Sequence, residues 1–434
     1  MNLPSRTLYL GCDSGVFRAS RAADGRLELE PLGLVDAGVR ALLFDPDDPL
    51  RLLAATRRAG LQRSVDGGRS WHERSAGVVH RDLWSLARCP AAGTLFVGAE
   101  PPALYRSDDG GETWVDCAAL HALPESVHWT FPPPPHFAHV KHMAVHPTAP
   151  HAVYLALEEG WLVRTGDGGR SFVTLKQGVD FDAHGVLLTA DEPRRVLATT
   201  GAGVFASDDG GDTFAPSDLG LPARAYCSPP AASPRRPRTV YVGAAELPPP
   251  FWATRPEGAA SRFYRSDDGG RGWSALACPV ATAGVRSCAV DPDDPERVAF
   301  GMTDGRVWLS EDGGASWTAL AGAGAAGWVT ALEFGPAAAT RPAAGPGPVP
   351  SDSRPEPASA GLGVAVGQVY EVTIADEISR PVIGANGVCK LGDADMRLPG
   401  ARKGERYRVR VLALGINSWT GRMEATVQKL AGPL

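Results

Sequence analysis

The chain has 434 residues, 44% of them hydrophobic, with 51 glycines, 38 prolines and a formal charge of −6. So much glycine and proline argues against long helices as the main element and for many short strands and turns, and no run of about 18 apolar residues offers a membrane-spanning helix. Seven scattered cysteines without a CxxC pair exclude a disulfide framework and a zinc-ribbon site.

The charge is uneven. Residues 1–360 carry 33 Lys and Arg against 42 Asp and Glu, whereas 361–434 carry 10 against 7. An acidic body with a basic tail argues for two modules with different partners. The N-terminus runs almost directly into a strand pattern, without the apolar core of a signal peptide, so a cytoplasmic protein is expected.

In chain order, TLYLGCD and GVFRAS read as strands, followed by a decayed turn around Asp24. From residue 38 one grammar repeats. An apolar strand enters a Pro-bearing turn (VRALLFDPDDP, VRSCAVDPDDP), a second short strand follows (TLFVGAE, TVYVGAA), and a third runs into a motif of the form SDDGGETW. That motif recurs six times, with its aspartate at Asp66, Asp109, Asp167, Asp209, Asp268 and Asp312, spaced 43, 58, 42, 59 and 44 residues apart. Four short strands per unit at this period predict the blades of a β-propeller. Within the motif, the Ser or Thr hydroxyl and the Asp carboxylate suit turn amides, and the glycines supply positive φ.

The motif resembles the Asp-box (BNR) repeat of sialidase-like propellers, where the box is a structural turn between the third and fourth strands. The six Asp-box aspartates are therefore expected to be structural. Counting gives seven blades. The seventh is expected to combine WVTALEF at 328–334 with the N-terminal strands, closing the ring and removing free sheet edges. The sialidase signature before the first box is missing, since the chain reads FRAS at 17–20; those enzymes also have six blades. An enzyme is accordingly not favoured, and no catalytic residue is assigned. The compact propellers of the photosystem assembly-factor group are similar in fold and box, and this resemblance carries no active residues across.

The two long spacings are insertions, HALPESVHWTFPPPPHFAHVK at 121–141 and ELPPPFWATRPEGAASR at 246–262. Both belong to connections at the end of the blades opposite the boxes, and elaborated loops over a rigid scaffold are where function usually sits. Aligning the first strand of each blade puts Arg40, Trp84, Lys141, His184, Arg224, Arg286 and Thr330 at one equivalent position. The first six are the candidate ligand-binding residues, a ring whose cations would focus positive potential on an anionic ligand. Histidines at 128, 136, 139, 142 and 146, with VDFDAHG at 179–185, could suit a divalent metal. Ordinary loop and interface histidines are the preferred reading, and neither metal nor cofactor is expected.

Residues 336–360 form a Pro/Ala/Gly/Ser linker. Beyond it, 361–434 reads as five short strands with Gly-bearing turns, the size of an OB-like barrel. Gly367, Tyr370, Gly384, Gly387-Val388-Cys389-Lys390, Leu398-Pro399-Gly400-Ala401 and Gly404-Glu405-Arg406 resemble the TRAM domain, a small RNA-binding β-barrel, over about 365–428. DADMRLPG departs from that family's more apolar strand. The resemblance implies RNA contact through Lys390, Arg397, Arg402, Lys403, Arg406, Arg408 and Arg410 along a phosphate backbone, with Tyr407 and Trp419 stacking on bases. The combined expectation is all-β: a seven-bladed propeller over 1–335, a linker, and a TRAM-like barrel. It describes a non-catalytic binding or assembly protein that holds a protein or anionic ligand on the propeller face. The alternative is an enzyme, glycoside hydrolase-like or other, with its active site at the propeller mouth.

Overall fold

The structure is a computed structural model. It describes residues 6–21, 26–90, 92–133, 135–149, 151–189, 195–279, 282–320, 327–335, 369–373, 376–380, 384–391, 394–399, 406–416 and 423–431. The linker, Asp24, Arg402, Lys403 and Trp419 lie outside these residues. The chain divides into two compact units, one built from Met1–Phe131 with Phe137–Arg341, the other from Pro132–His136 with Pro342–Leu434.

The first unit is an all-β propeller of seven antiparallel sheets. Blade 1 shows the plan: Val39–Phe44 innermost, then Leu52–Thr56, Leu61–Ser64 and His72–Glu73. Burial falls outward across it. Leu52–Thr56 is buried at every position, whereas His72–Glu73 is exposed at both. The second strand is covered on both faces by neighbouring blades, and so reads LLAAT rather than alternating. Each fully buried Leu or Val there contributes about 1.5–3 kcal/mol.

Blade 7 closes the ring. Val329–Gly335 pairs with Thr7–Cys12, which pairs with Gly15–Arg21 and then Leu27–Pro31. The two ends of the propeller sequence thus share one sheet.

Adjacent blades meet through a repeated close approach. A Cβ on Gly98 would lie 2.6 Å from Val140 Cγ1 of the next blade, and one on Gly301 would lie 2.4 Å from Val329 Cγ1. Only glycine leaves room for that valine. Beside these contacts, Ser85 Oγ donates to the Val140 carbonyl at 2.6 Å and Ser287 Oγ to the Val329 carbonyl at 2.9 Å. At these two boundaries the inner strands are held together near their first residues.

The SxDGG turns sit at the other end, between third and fourth strands. In blade 1, Ser64 Oγ donates to Asp66 Oδ1 at 2.8 Å and accepts from the Gly68 amide at 2.7 Å. The Ser70 amide and hydroxyl then donate to the two Asp66 oxygens at 2.9 and 2.5 Å. Asp109, Asp167, Asp209 and Asp312 repeat this pattern with Thr113, Ser171, Thr213 and Ser316. At Asp268 the partner is the Gly272 amide. The tryptophan that ends the motif crosses between blades: Trp71, Trp114 and Trp273 donate Nε1–H to carbonyls of Leu32, Arg74 and Ser217.

The second unit carries six strands, Val369–Thr373, Asp376–Arg380, Gly384–Leu391, Ala394–Pro399, Arg406–Ile416 and Met423–Ala431, one more than expected. Met423–Ala431 and Ala394–Pro399 lie at the centre of the sheet and pair in parallel, with Arg406–Ile416 on the other side of the former. Among the described residues no pairing joins the two end strands, so an OB-like closure is not part of the observed sheet. No helix among them is long and apolar enough to cross a membrane.

Candidate functional site: the mouth of the propeller

In an antiparallel blade, the first strand begins at the end where the second-to-third and blade-to-blade loops emerge. The seven inner strands therefore start around one mouth, opposite the SxDGG turns. Six of them slip register by one residue at that start. The slips fall at Arg40, Trp84, Lys141, His184, Arg286 and Thr330. A β-bulge turns one extra side chain out of the ladder, which explains why these positions align in sequence. Blade 5 is the exception: Tyr226–Cys227 pairs without a register shift. Arg224 stands ahead of that strand, exposed, with φ 56°. Here the expected ring is corrected: Tyr226, not Arg224, reaches the other residues. The turn CSPPAASPRRP conceals a two-residue inner strand, so counting from it misplaces the start.

The bulged side chains do not form an open ring of cations. Acids stand between them. Arg40 lies over the Trp84 ring at 3.4 Å, and its Nε is 3.6 Å from Asp82 Oδ1. Trp84 stacks on His139 at 3.4 Å between centroids and donates Nε1–H to Glu100 Oε2 at 3.0 Å. His139 Nε2 is 2.6 Å from Glu158 Oε2, and its Nδ1 is 3.5 Å from Glu100 Oε2. Lys141 Nζ donates to Glu158 Oε1 at 2.6 Å, and the Tyr226 hydroxyl donates to the same oxygen at 3.3 Å. His184 lies 4.3 Å from the Tyr226 ring. His139 and His184 have no exposed surface, and Lys141 is 7% exposed. Arg286 is half-buried and forms no ion pair among the described residues; its guanidinium stands 5.7 Å from the Trp328 ring.

Burial decides the protonation of this floor. It pushes the Glu100 carboxyl up to about 7, helped by the Asp82 charge and opposed by Arg40. It pushes Asp82 up to about 6 against the pull of Arg40 and Arg57. Burial also brings Lys141 down to about 8, Arg40 to about 10 and His139 to about 4, so His139 is neutral. For Glu158 burial raises and the nearby Lys141, His139 and His184 lower, and the lowering wins. The floor thus holds an ionised Glu158 and a half-protonated Glu100 on opposite sides of one neutral imidazole. A protonated Glu100 can donate to His139 Nδ1, which otherwise has no hydrogen-bond partner.

Around this polar floor runs an aromatic and aliphatic rim. Phe131, from the first insertion, meets His139 edge-on at 5.0 Å; Trp252, from the second, stands 6.1 Å from Tyr226. Trp161 and Phe181 pack at 4.5 Å. Five of the nine large hydrophobic residues exposed among the described residues lie on mouth-side loops: Val35, Val79, Val127, Phe251 at 52% and Trp328 at 42%. That concentration marks the mouth as the sticky end of the propeller.

Reading the sequence alone misses Glu100, Glu158 and the rim. Both acids end an otherwise apolar second strand, LFVGAE and VYLALE, and cross-strand pairing sets them opposite Asp82 and His139. A glutamate closing a fully buried strand was the available signal. Of the other histidines, His142 Nδ1 faces the Val186 amide and His146 caps its own turn, so the histidines do not gather at one centre. In the second unit, Lys390, Arg397 and Arg410 lie in strands. Arg406 and Arg408 are exposed, with Arg406 paired to Glu371 at 3.0 Å. Tyr407 is 1% exposed, which corrects its expected role: a ring inside the fold cannot stack on a base.

No protein-family model matches the chain, and no curated protein matches it in sequence. Solved structures do match. The GH74 xyloglucanase from Xanthomonas campestris is 17% identical, with 94% of this chain and 60% of that chain covered and a TM-score of 0.56. An ancestral GH74 enzyme is 15% identical over 70% of this chain and 37% of its own, at a TM-score of 0.49. YCF48 bound to D1 peptide is 17% identical over 66% of this chain and 83% of its own, at 0.46. The chain thus spans 37% and 60% of the two GH74 chains. The likeness is one of β-propeller fold.

Proposed function

We propose that this chain is a non-catalytic binding protein that engages a protein partner through the mouth of the propeller. The observation that carries this reading is the rim: five exposed hydrophobic residues on mouth-side loops above a floor in which Lys141 and His139 are held by Glu158. Aromatic and aliphatic anchors around a polar, compensated centre suit a protein interface. Arg286 gives an acidic group of the partner a place to sit. The expected ring of free cations is not the basis of the proposal, because Lys141 and Arg40 stand beside carboxylates. We further propose that the second unit, TRAM-like by its motif, contacts RNA. Exposed Arg406 and Arg408, alternating with buried Tyr407 and Val409, support that reading. The free thiols of Cys12, Cys89, Cys117, Cys227, Cys278 and Cys288 suit a reducing, cytoplasmic setting, and the SxDGG turns support assignment to the Asp-box propellers.

The test is co-purification of the full chain from its own cells, comparing the wild type with the Phe251→Ser, Trp328→Ser double variant. The proposal expects a stoichiometric partner with the wild type and its loss with the variant. A partner retained in full by the variant contradicts it.

Glu100 favours one second reading, an enzyme with its active site at the mouth. A carboxyl pushed to about 7 beside an ionised Glu158 has the pattern of an acid and a base set apart by environment. Glu100→Gln then removes turnover on a panel of glycosides; a panel left untouched by the wild type sinks that reading.

A further inference from the structure

We propose that Glu158, Asp182 and His184 form a binding site for a divalent transition-metal ion of the zinc or manganese type, set in the floor of the mouth. The reasoning starts from one imidazole. His184 has no exposed surface. Its Nδ1 lies 2.7 Å from the Cys227 carbonyl oxygen, which can only accept, so Nδ1 carries the proton. In the neutral ring Nε2 is then a bare lone pair. It points between two carboxylates, 3.1 Å from Asp182 Oδ2 and 3.7 Å from Glu158 Oε1, and makes no aligned hydrogen bond with either. A lone pair facing two anions is unfavourable unless a cation stands between them. Asp182 Oδ1 is likewise buried without a hydrogen-bond partner.

The geometry suits an ion. The three donor atoms all lie within 4.8 Å of one another. Ligands bound at about 2.0–2.2 Å stand about 2.8–3.1 Å apart around an octahedral centre and about 3.3–3.6 Å apart around a tetrahedral one; the 3.1 Å separation falls within that span and the 3.7 Å one just beyond it, so a small movement of Glu158 closes the site. Outer contacts already hold the ligands. A ligating histidine usually donates its second ring N–H to a carbonyl, as His184 does to Cys227. Glu158 Oε2 is fixed by His139 at 2.6 Å. Lys141 and the Tyr226 hydroxyl both donate to Glu158 Oε1, at 2.6 and 3.3 Å; an ion at that oxygen takes the place of the longer Tyr226 bond, with the ammonium as an outer partner. The Asp182 side chain is 27% exposed against 5% for Glu158 and none for His184. The ion therefore enters from the mouth past Asp182, and water or a partner's oxygen completes its shell on that side. One imidazole with two carboxylates suits zinc or manganese better than copper(I), which prefers sulfur.

The competing arrangement is an imidazolium, with a proton instead of a metal closing the same gap. The full chain, stripped with EDTA and dialysed, is titrated with ZnCl2 and with MnCl2 by calorimetry. The expected result is one ion per chain for at least one metal, with affinity at least about tenfold weaker in Asp182→Asn, because removing a ligand costs no less than removing an outer partner. Circular dichroism checks that the variant keeps the wild-type fold; Asp182 is preferred to the buried His184 for that reason. Two outcomes overturn the proposal. One is no saturable binding of either metal by the wild type, leaving the imidazolium. The other is equal affinity in wild type and folded Asp182→Asn, which puts the ion at some other histidine. Neither outcome touches the rim on which the protein-binding proposal rests.

Discussion

The two ends of the propeller handle carboxylates in opposite ways. At the turn end, five of the six aspartates repeat one hydrogen-bond pattern near the surface, and Asp268 lacks only the hydroxyl that closes it. Hydroxyl and amide donors hold Asp167 and Asp312 down to about 2. At the mouth, each acid has a different set of partners, and burial drives Asp82 and Glu100 up to about 6 and 7. A feature repeated around the ring serves what the blades share, which is construction. A feature that differs from blade to blade serves what the ring does once. That comparison supports the proposal that the mouth is the functional end, although the turns are far more conspicuous in the sequence.

The largest expected break lies at the mouth. Glu158→Ala leaves Lys141 buried without its partner, and removing one member of a buried pair costs about 3–5 kcal/mol. A smaller loss is expected at the turns. Ser64→Ala strands the Gly68 amide and removes one of the hydrogen bonds to Asp66 Oδ1, at a cost of about 1–3 kcal/mol. Urea denaturation of both variants checks the order, and a Ser64→Ala loss that exceeds the Glu158→Ala loss breaks the comparison.

The two ends also respond to pH with opposite sign. At the turns the folded chain binds protons less readily than the unfolded one, whose aspartates titrate near 3.9. Their contribution is complete above about 4 and is lost as pH falls through about 2. At the mouth the folded chain holds its protons longer. Stability there falls as pH rises from about 4, where unfolded carboxyls ionise, through 6 and 7, where Asp82 and Glu100 do. Glu100→Gln should flatten the decline between pH 4 and 7 and leave the acid limb unchanged. An unchanged slope across pH 4–7 counts against the buried carboxyl. The smallest effect is expected at the rim: Phe251→Ser and Trp328→Ser should each shift stability by no more than about 0.5 kcal/mol, even where they abolish binding.

The architecture was legible because its signals are local. SxDGG turns depend on residues within seven positions, so six copies counted the blades and their spacing exposed the two insertions. Six of the seven aligned inner-strand positions were legible for a related reason: each lies one bulge into its strand, at a fixed distance from the turn that follows. Arg224 was misplaced where that distance fails. Glu100 and Glu158 were hidden because register, not sequence distance, sets them against Asp82 and His139. Tyr407 shows the same limit: its neighbours Arg406 and Arg408 suggested a nucleic-acid strand, but alternation turns the tyrosine inward.

The central claim is that the mouth, not the turn end, receives the partner. Chemical cross-linking of the purified native complex, mapped by mass spectrometry, tests it directly. Cross-links from the partner should fall on the mouth-side segments 121–131 and 246–261, with residues of the six SxDGG turns left unmodified. Cross-links concentrated on those turns would contradict it.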